Sequence, residues 1–118
     1  MIAGAVTDNG VPIIMLLVAG QTWQGIIDTG FHGDLELPEA LRAAVRPRFS
    51  GRISSALAGG QRIEDDVYLV EFPFDGRTIH AETTFVPGNE ILIGTQLLRP
   101  YRLEIHFPER TVRLDRVA

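Results

Sequence analysis

The stretch Ile26-Ile27-Asp28-Thr29-Gly30 decides how this 118-residue chain is read. Two β-branched apolar residues lead straight into a carboxylate, a hydroxyl and a glycine. They close a predicted strand, Gln21 to Ile27, so the carboxylate stands at the end of a strand expected to be buried on both sides. A carboxylate there is costly unless it takes up a proton or finds a partner. Gly30 permits close backbone approach or an unusual φ. A lone carboxylate makes a poor hydrolase, whereas two that share a proton can activate water as base and protonate a leaving group as acid. Asp-Thr-Gly occurs once in the sequence, so the second carboxylate has to come from another copy of the chain. The plainer reading of Asp28 is a turn aspartate that caps its own backbone.

Working outward, short apolar or alternating segments separated by turn residues predict a mostly-β domain spanning residues 1–118. Val11 to Val18 reads as a buried strand turning at Ala19-Gly20 into Gln21 to Ile27. A strand from near Asp34 to Leu37-Pro38 precedes a short helix, Glu39 to Val45. In that helix Leu41, Ala44 and Val45 are expected to face the core, with Arg42 and Arg46 in solvent, and Pro47 ends it. Gly51 to Leu57 and Arg62 to Phe72 form a hairpin across Ala58-Gly59-Gly60-Gln61, and Phe72 to Val86 another, turning at Asp75-Gly76. Glu90 to Gly94 reads as a strand and Thr95 to Leu98 as a helical turn. The tail, Tyr101 to Phe107 and Thr111 to Val117, alternates as a last hairpin. An apolar strand ending in glycine occurs twice, at Ile26 to Gly30 and at Ile91 to Gly94.

Composition narrows the function. Apolar residues at 45% and charged residues at 22% argue against disorder, and a net charge of −4 offers no general pull toward nucleic acid or an anionic membrane. No cysteine is present, which excludes disulfides, thiolate metal sites and a cysteine nucleophile. Met1 to Gly10 lacks a basic targeting region, and Val11 to Ala19 falls far below the roughly 18 residues of a membrane span. A cytoplasmic location is the expectation.

Taken together, the chain resembles the retropepsin-like (clan AA) single-lobe aspartic peptidases. The residues that carry the likeness are Ile26 to Gly30, the strand Leu92-Ile93-Gly94, Leu97-Leu98 at the place of a short helix, and Ala58-Gly59-Gly60 at the place of a flap tip. The string from Asp28 through Phe31, Gly33, Leu35 and Leu37 to Pro38 is closest to a bacterial branch with an Asp-Thr-Gly-Phe-x-Gly-x-Leu-x-Leu-Pro pattern. The resemblance implies a closed β-barrel, the acid-protease fold, with one or two short helices and a flap hairpin. It implies a homodimer in which the two Asp28 carboxylates form a dyad, Thr29 bonds across the interface and Gly30 directs its amide to the carboxylate. Leu57, Ala58, Gly59 and Gly60 would close over an extended peptide or protein substrate, with no metal or cofactor. Retroviral members often carry an aspartate two residues after the glycine, paired with an arginine after the second glycine. Those positions here are His32 and Thr95. The family dimer is often sealed by the chain termini, for which Thr111 to Val117 is the candidate strand.

The remaining features divide more evenly. Phe31 is read as core packing or as a subsite wall. His32, Asp34 and Glu36 alternate like metal ligands, but three on one flat strand rarely converge, and a solvated face is the preferred reading. Arg42, Arg46, Arg48 and Arg52 lack interleaved aromatics and read as a solvated face. Ser50, Ser54 and Ser55 lack a nucleophile-elbow pattern. An inactive module that binds peptides or partners is the alternative to a peptidase.

Overall fold

Ten strands order the computed structural model, which describes residues 1–56 and 58–118. They are β1 (Ile2–Val6), β2 (Pro12–Val18), β3 (Gln21–Ile27), β4 (Leu35–Pro38), β5 (Arg48–Ala56), β6 (Arg62–Phe74), β7 (Arg77–Val86), β8 (Ile91–Ile93), β9 (Tyr101–His106) and β10 (Thr111–Arg116). Two helical turns interrupt them: a 3-10 turn Glu39–Leu41 running into α1 (Arg42–Val45), and α2 (Thr95–Leu98). Two-residue loops explain much of this order. Ala19-Gly20 (φ 50° and 77°) and Asp75-Gly76 (φ 53° and 75°) both take the positive φ values of tight hairpin turns, which match the twist of the flanking strands.

The strands hydrogen-bond in the order β5-β6-β7-β4-β8-β3-β2-β1-β10-β9. The expected closed barrel is therefore corrected: among the described residues the sheet is open, with β5 and β9 at its ends. It curls enough for β2 to pack across β6 without joining those ends. Both end strands carry charge, Arg48 and Arg52 on β5 and Arg102 and Glu104 on β9, which protects an unpaired edge. β10 is bonded on one side to β1 and on the other to β9. Neither side of this C-terminal strand is left open for a partner's strand.

The core sits between the facing halves of the curled sheet. Ile14, Leu35, Leu37, Ile91, Ile93 and Leu114 are fully buried there, with Leu97 and Leu98 of α2 packed beside them. The predicted helix departs in two details. Leu41 is buried and Val45 half-buried, but Ala44 is exposed, because a single turn brings only this i, i+4 line to the core. Arg42 is not a free solvent residue either. Its guanidinium lies 4.7 Å from the Tyr68 ring centre and 4.5 Å from that of Phe85, and donates to both Glu39 carboxylate oxygens at 2.6 and 3.1 Å. The paired carboxylate and the aromatic faces hold the cation in place, and Glu39 first, then Tyr68, raise its pKa further.

β1 is the strand with no forecast. Its Ala3-Gly4-Ala5 centre has little strand preference, and long-range pairing supplies what local sequence lacks: Ile2 with Leu114, Ala5 with Thr111, and Ala5 again with Ile13. At Gly4 a Cβ would stand 2.1 Å from the Ile13 carbonyl oxygen, so the close approach of β1 to β2 needs glycine. Gly4→Ala is expected to cost about 1–3 kcal/mol by overpacking. Denaturant unfolding monitored at Trp23 checks this, and an unchanged midpoint would refute the tight seam.

Candidate active site

β3 and β8 lie side by side in parallel, with Ile26 opposite Leu92 and Ile27 opposite Ile93. The Asp28 N–H continues the ladder by donating to the Ile93 carbonyl at 3.0 Å. The repeated apolar-strand-to-glycine pattern thus marks two strands that meet in the fold. Asp28 is half-buried at the end of β3, while Thr29 and Gly30 are exposed. One Asp28 oxygen, Oδ1, accepts the Gly30 N–H at 2.9 Å, and the Asp28 carbonyl accepts the Phe31 N–H at 3.1 Å. Asp28 therefore does cap its own loop. Its Oδ2 has no hydrogen-bond partner among the described residues.

Three backbone bonds stitch this loop to the start of α2. Thr95 N–H donates to the Phe31 carbonyl at 2.8 Å, Gln96 N–H to Gly33 at 3.2 Å, and Gly94 N–H to Asp34 at 3.0 Å. Two glycines make room for the seam. A Cβ on Gly94 would meet the Gly33 carbonyl oxygen at 2.1 Å, and a Cβ on either Gly33 or Gly94 would stand 2.8 Å from the Phe31 ring. Phe31 is half-buried with its ring laid against these glycines.

The alternating His32, Asp34 and Glu36 go to different surroundings. His32 is exposed, whereas Asp34 is buried and its Oδ2 accepts the Glu82 N–H at 2.8 Å and a Gln96 side-chain N–H at 3.2 Å. Burial pushes the Asp34 carboxyl above its usual range, reinforced by the Glu82 charge and opposed by its hydrogen bonds and Arg99. No metal-binding cluster forms among the described residues. Glu36 is half-buried and also raised, by burial first and then by the charges of Asp65 on β6 and of Asp28. Glu36 on β4 thus feels two other carboxylates, one just past the end of β3 and one on β6.

The sequence reading missed two grooves on the strands that lead to the Asp28 loop. Glu36, Leu92 and the segment Val86-Pro87-Gly88-Asn89-Glu90 line one groove, and Thr22, Trp23, Gln24, Ile26, Asn89 and Glu90 line the next. Ile26 and Asp28 alternate to the same face of β3, and Leu92 is the direct neighbour of Ile26. The half-buried exposure of Ile26, Leu92 and Glu36 between fully buried neighbours was the available signal, but it depends on which strands pair. At the hairpin tip, Ala58, Gly59 and Gly60 are exposed, and no atom lies within 4 Å of a Cβ built on Gly59 or Gly60. Leu57, placed with them from the sequence, lies outside the described residues.

No protein-family model matches the sequence, and no curated protein matches it. Solved structures do. A retropepsin-like aspartic protease from Rickettsia conorii superposes with a TM-score of 0.63 at 15% identity, covering 96% of this chain and 88% of that one. The fold is retropepsin-like. The simian foamy virus protease matches as well, with a TM-score of 0.58 and 22% identity over 74% of this chain and 91% of that one. Among the described residues, no helix is long and apolar enough to cross a membrane.

In this retropepsin-like frame the Phe31 ring and Gly33 are a matched pair. Gly33→Ala is expected to destabilise the protein, and Phe31→Ala to relieve that clash, with a coupling of about 0.5–3 kcal/mol. A double-mutant cycle by thermal unfolding measures it; simple additivity would refute the contact. Asp34 gives a pH test. Because its folded pKa is raised, its stabilising contribution is full below the unfolded value and is lost as pH rises through the folded one. Asp34→Asn should therefore leave thermal stability at neutral pH unchanged or higher, and a drop confined to neutral pH would contradict it.

Proposed function

We propose that this chain is an aspartic endopeptidase that acts as a homodimer, with one Asp28 from each copy at the twofold axis. The observation that carries the reading is Asp28 itself: a half-buried carboxylate at a strand end, held by the Gly30 amide through one oxygen and open at the other, in a retropepsin-like fold. One ionised carboxylate takes a proton from water as it attacks the scissile carbonyl. The protonated carboxyl of the other copy donates to the carbonyl oxygen, and the leaving amine is protonated as the tetrahedral species collapses. Thr29 and Gly30 shape the loop, and Ala58, Gly59 and Gly60 close over the bound chain. An extended peptide lays alternate side chains into the adjoining grooves lined by Leu92 and by Ile26. The carboxylates of Glu36 and Glu90 in the Leu92 groove favour a cationic side chain there.

The competing reading, a module that binds peptides without cutting them, is favoured by the Asp28–Gly30 bond, which is also what a purely structural turn aspartate makes. Cleavage of an unbiased peptide library across mildly acidic to neutral pH separates the two. The wild type should cut with a bell-shaped pH profile, because the dyad works with one proton. Asp28→Asn should lower the rate by about 10³-fold or more while light scattering still reports a dimer. Cutting by Asp28→Asn, or a strict monomer that does not cut, would sink the peptidase reading. Glu36→Gln should weaken selection for lysine and arginine at the affected position, and an unchanged library profile would remove Glu36 from specificity.

A further inference from the structure

We propose that Gln96 is a positioning residue that holds the Asp28 loop by bridging two carboxylates with one amide. Its side-chain nitrogen donates to Asp34 Oδ2 and to Glu82 Oε2, each at 3.2 Å, so both amide hydrogens are engaged. Its backbone N–H simultaneously holds the Gly33 carbonyl. Asp34 extends the grip, since the same Oδ2 takes the Glu82 N–H from β7 and its carbonyl takes the Gly94 N–H. Through Gln96, therefore, the loop, β7 and the start of α2 meet at one buried oxygen.

The chemistry of the bridge is specific. Asp34 and Glu82 repel one another, and Arg99, beyond α2, is the cation that acts on Asp34. A group with two hydrogens and no charge suits the gap between them. Beside the three backbone bonds, Asp34 and Gln96 supply the side-chain linkage of the loop to α2. A carboxyl at position 96 has the size of the native amide but donates only when protonated, and then through a single hydrogen.

The kinetic consequence rests on the peptidase reading; the structural one does not. Gln96→Ala and Gln96→Glu are compared with the wild-type dimer by amide hydrogen exchange and by peptide cleavage. In Gln96→Ala, exchange at the Gly30 and Phe31 amides should speed up about tenfold as the loop loosens. There kcat should fall about tenfold with KM within about twofold. Gln96→Glu should match it near pH 7 and recover toward wild-type exchange and rate as pH falls to about 5, where the new carboxyl, facing Asp34, Glu82 and Arg99, takes up a proton. Wild-type exchange in both variants overturns the proposal, as does a defect in Gln96→Glu that ignores pH, or unfolding of either variant. If exchange responds as expected but the wild type cuts nothing, the bridge stands and the peptidase reading fails.

Discussion

The close approach of two glycine-bearing turns is the constraint on which the rest of the structure depends. Parallel pairing brings the ends of β3 and β8 together, and the Asp28 N–H extends that ladder to Ile93. Beyond it Gly94 lies so near the Gly33 carbonyl that no Cβ fits between them. Three backbone bonds from Gly94, Thr95 and Gln96 then fix the Asp28 loop against α2. Burial of Ile93, Leu97 and Leu98 anchors the α2 side of that seam in the core, so hydrophobic packing sets where the exposed loop stands.

What was legible in the sequence were the features with local causes. Ala19-Gly20 and Asp75-Gly76 are turns because two adjacent residues must take positive φ, and β3, α2 and the last hairpin follow from period and punctuation. β1 was not legible because Ala3-Gly4-Ala5 carries no strand signal until β10 and β2 flank it. Arg42 looked like one member of a solvated cluster, since neither Tyr68 nor Phe85 is near it in the chain. The open sheet was hidden for a related reason: closure depends on whether the two end strands meet, and no local pattern encodes that.

The candidate site divides along the same line. Asp28, Thr29 and Gly30 were identifiable from an apolar lead-in followed by a carboxylate, and Phe31 from its place after the glycine. Asp34 and Gln96 are 62 positions apart, and Asp34 alternated with His32 and Glu36 in a way that hid its different surroundings. Its burial became visible only when β7 delivered the Glu82 amide to it. Glu36 acquires meaning in the same way, once β8 sets Leu92 beside it and the hairpin carries Asp65 within electrostatic range.

These charges bear on what the proposed dimer would have to accomplish. In that dimer a second copy would add its own Asp28, Glu36 and Asp65, so association would concentrate negative charge near the apolar groove residues Ile26 and Leu92. Repulsion of that kind weakens a dimer unless a proton is held between the carboxylates or a cation enters. If the proposed dimer forms, a proton shared between its carboxylates would therefore also help to hold it together, and a cationic side chain would do so further. Because β10 already bonds to β1 and β9, the C-terminal strand has no free side with which to offset that repulsion by strand pairing. In the proposed peptidase, assembly and chemistry would thus be linked through the carboxylates that the second copy brings to the first.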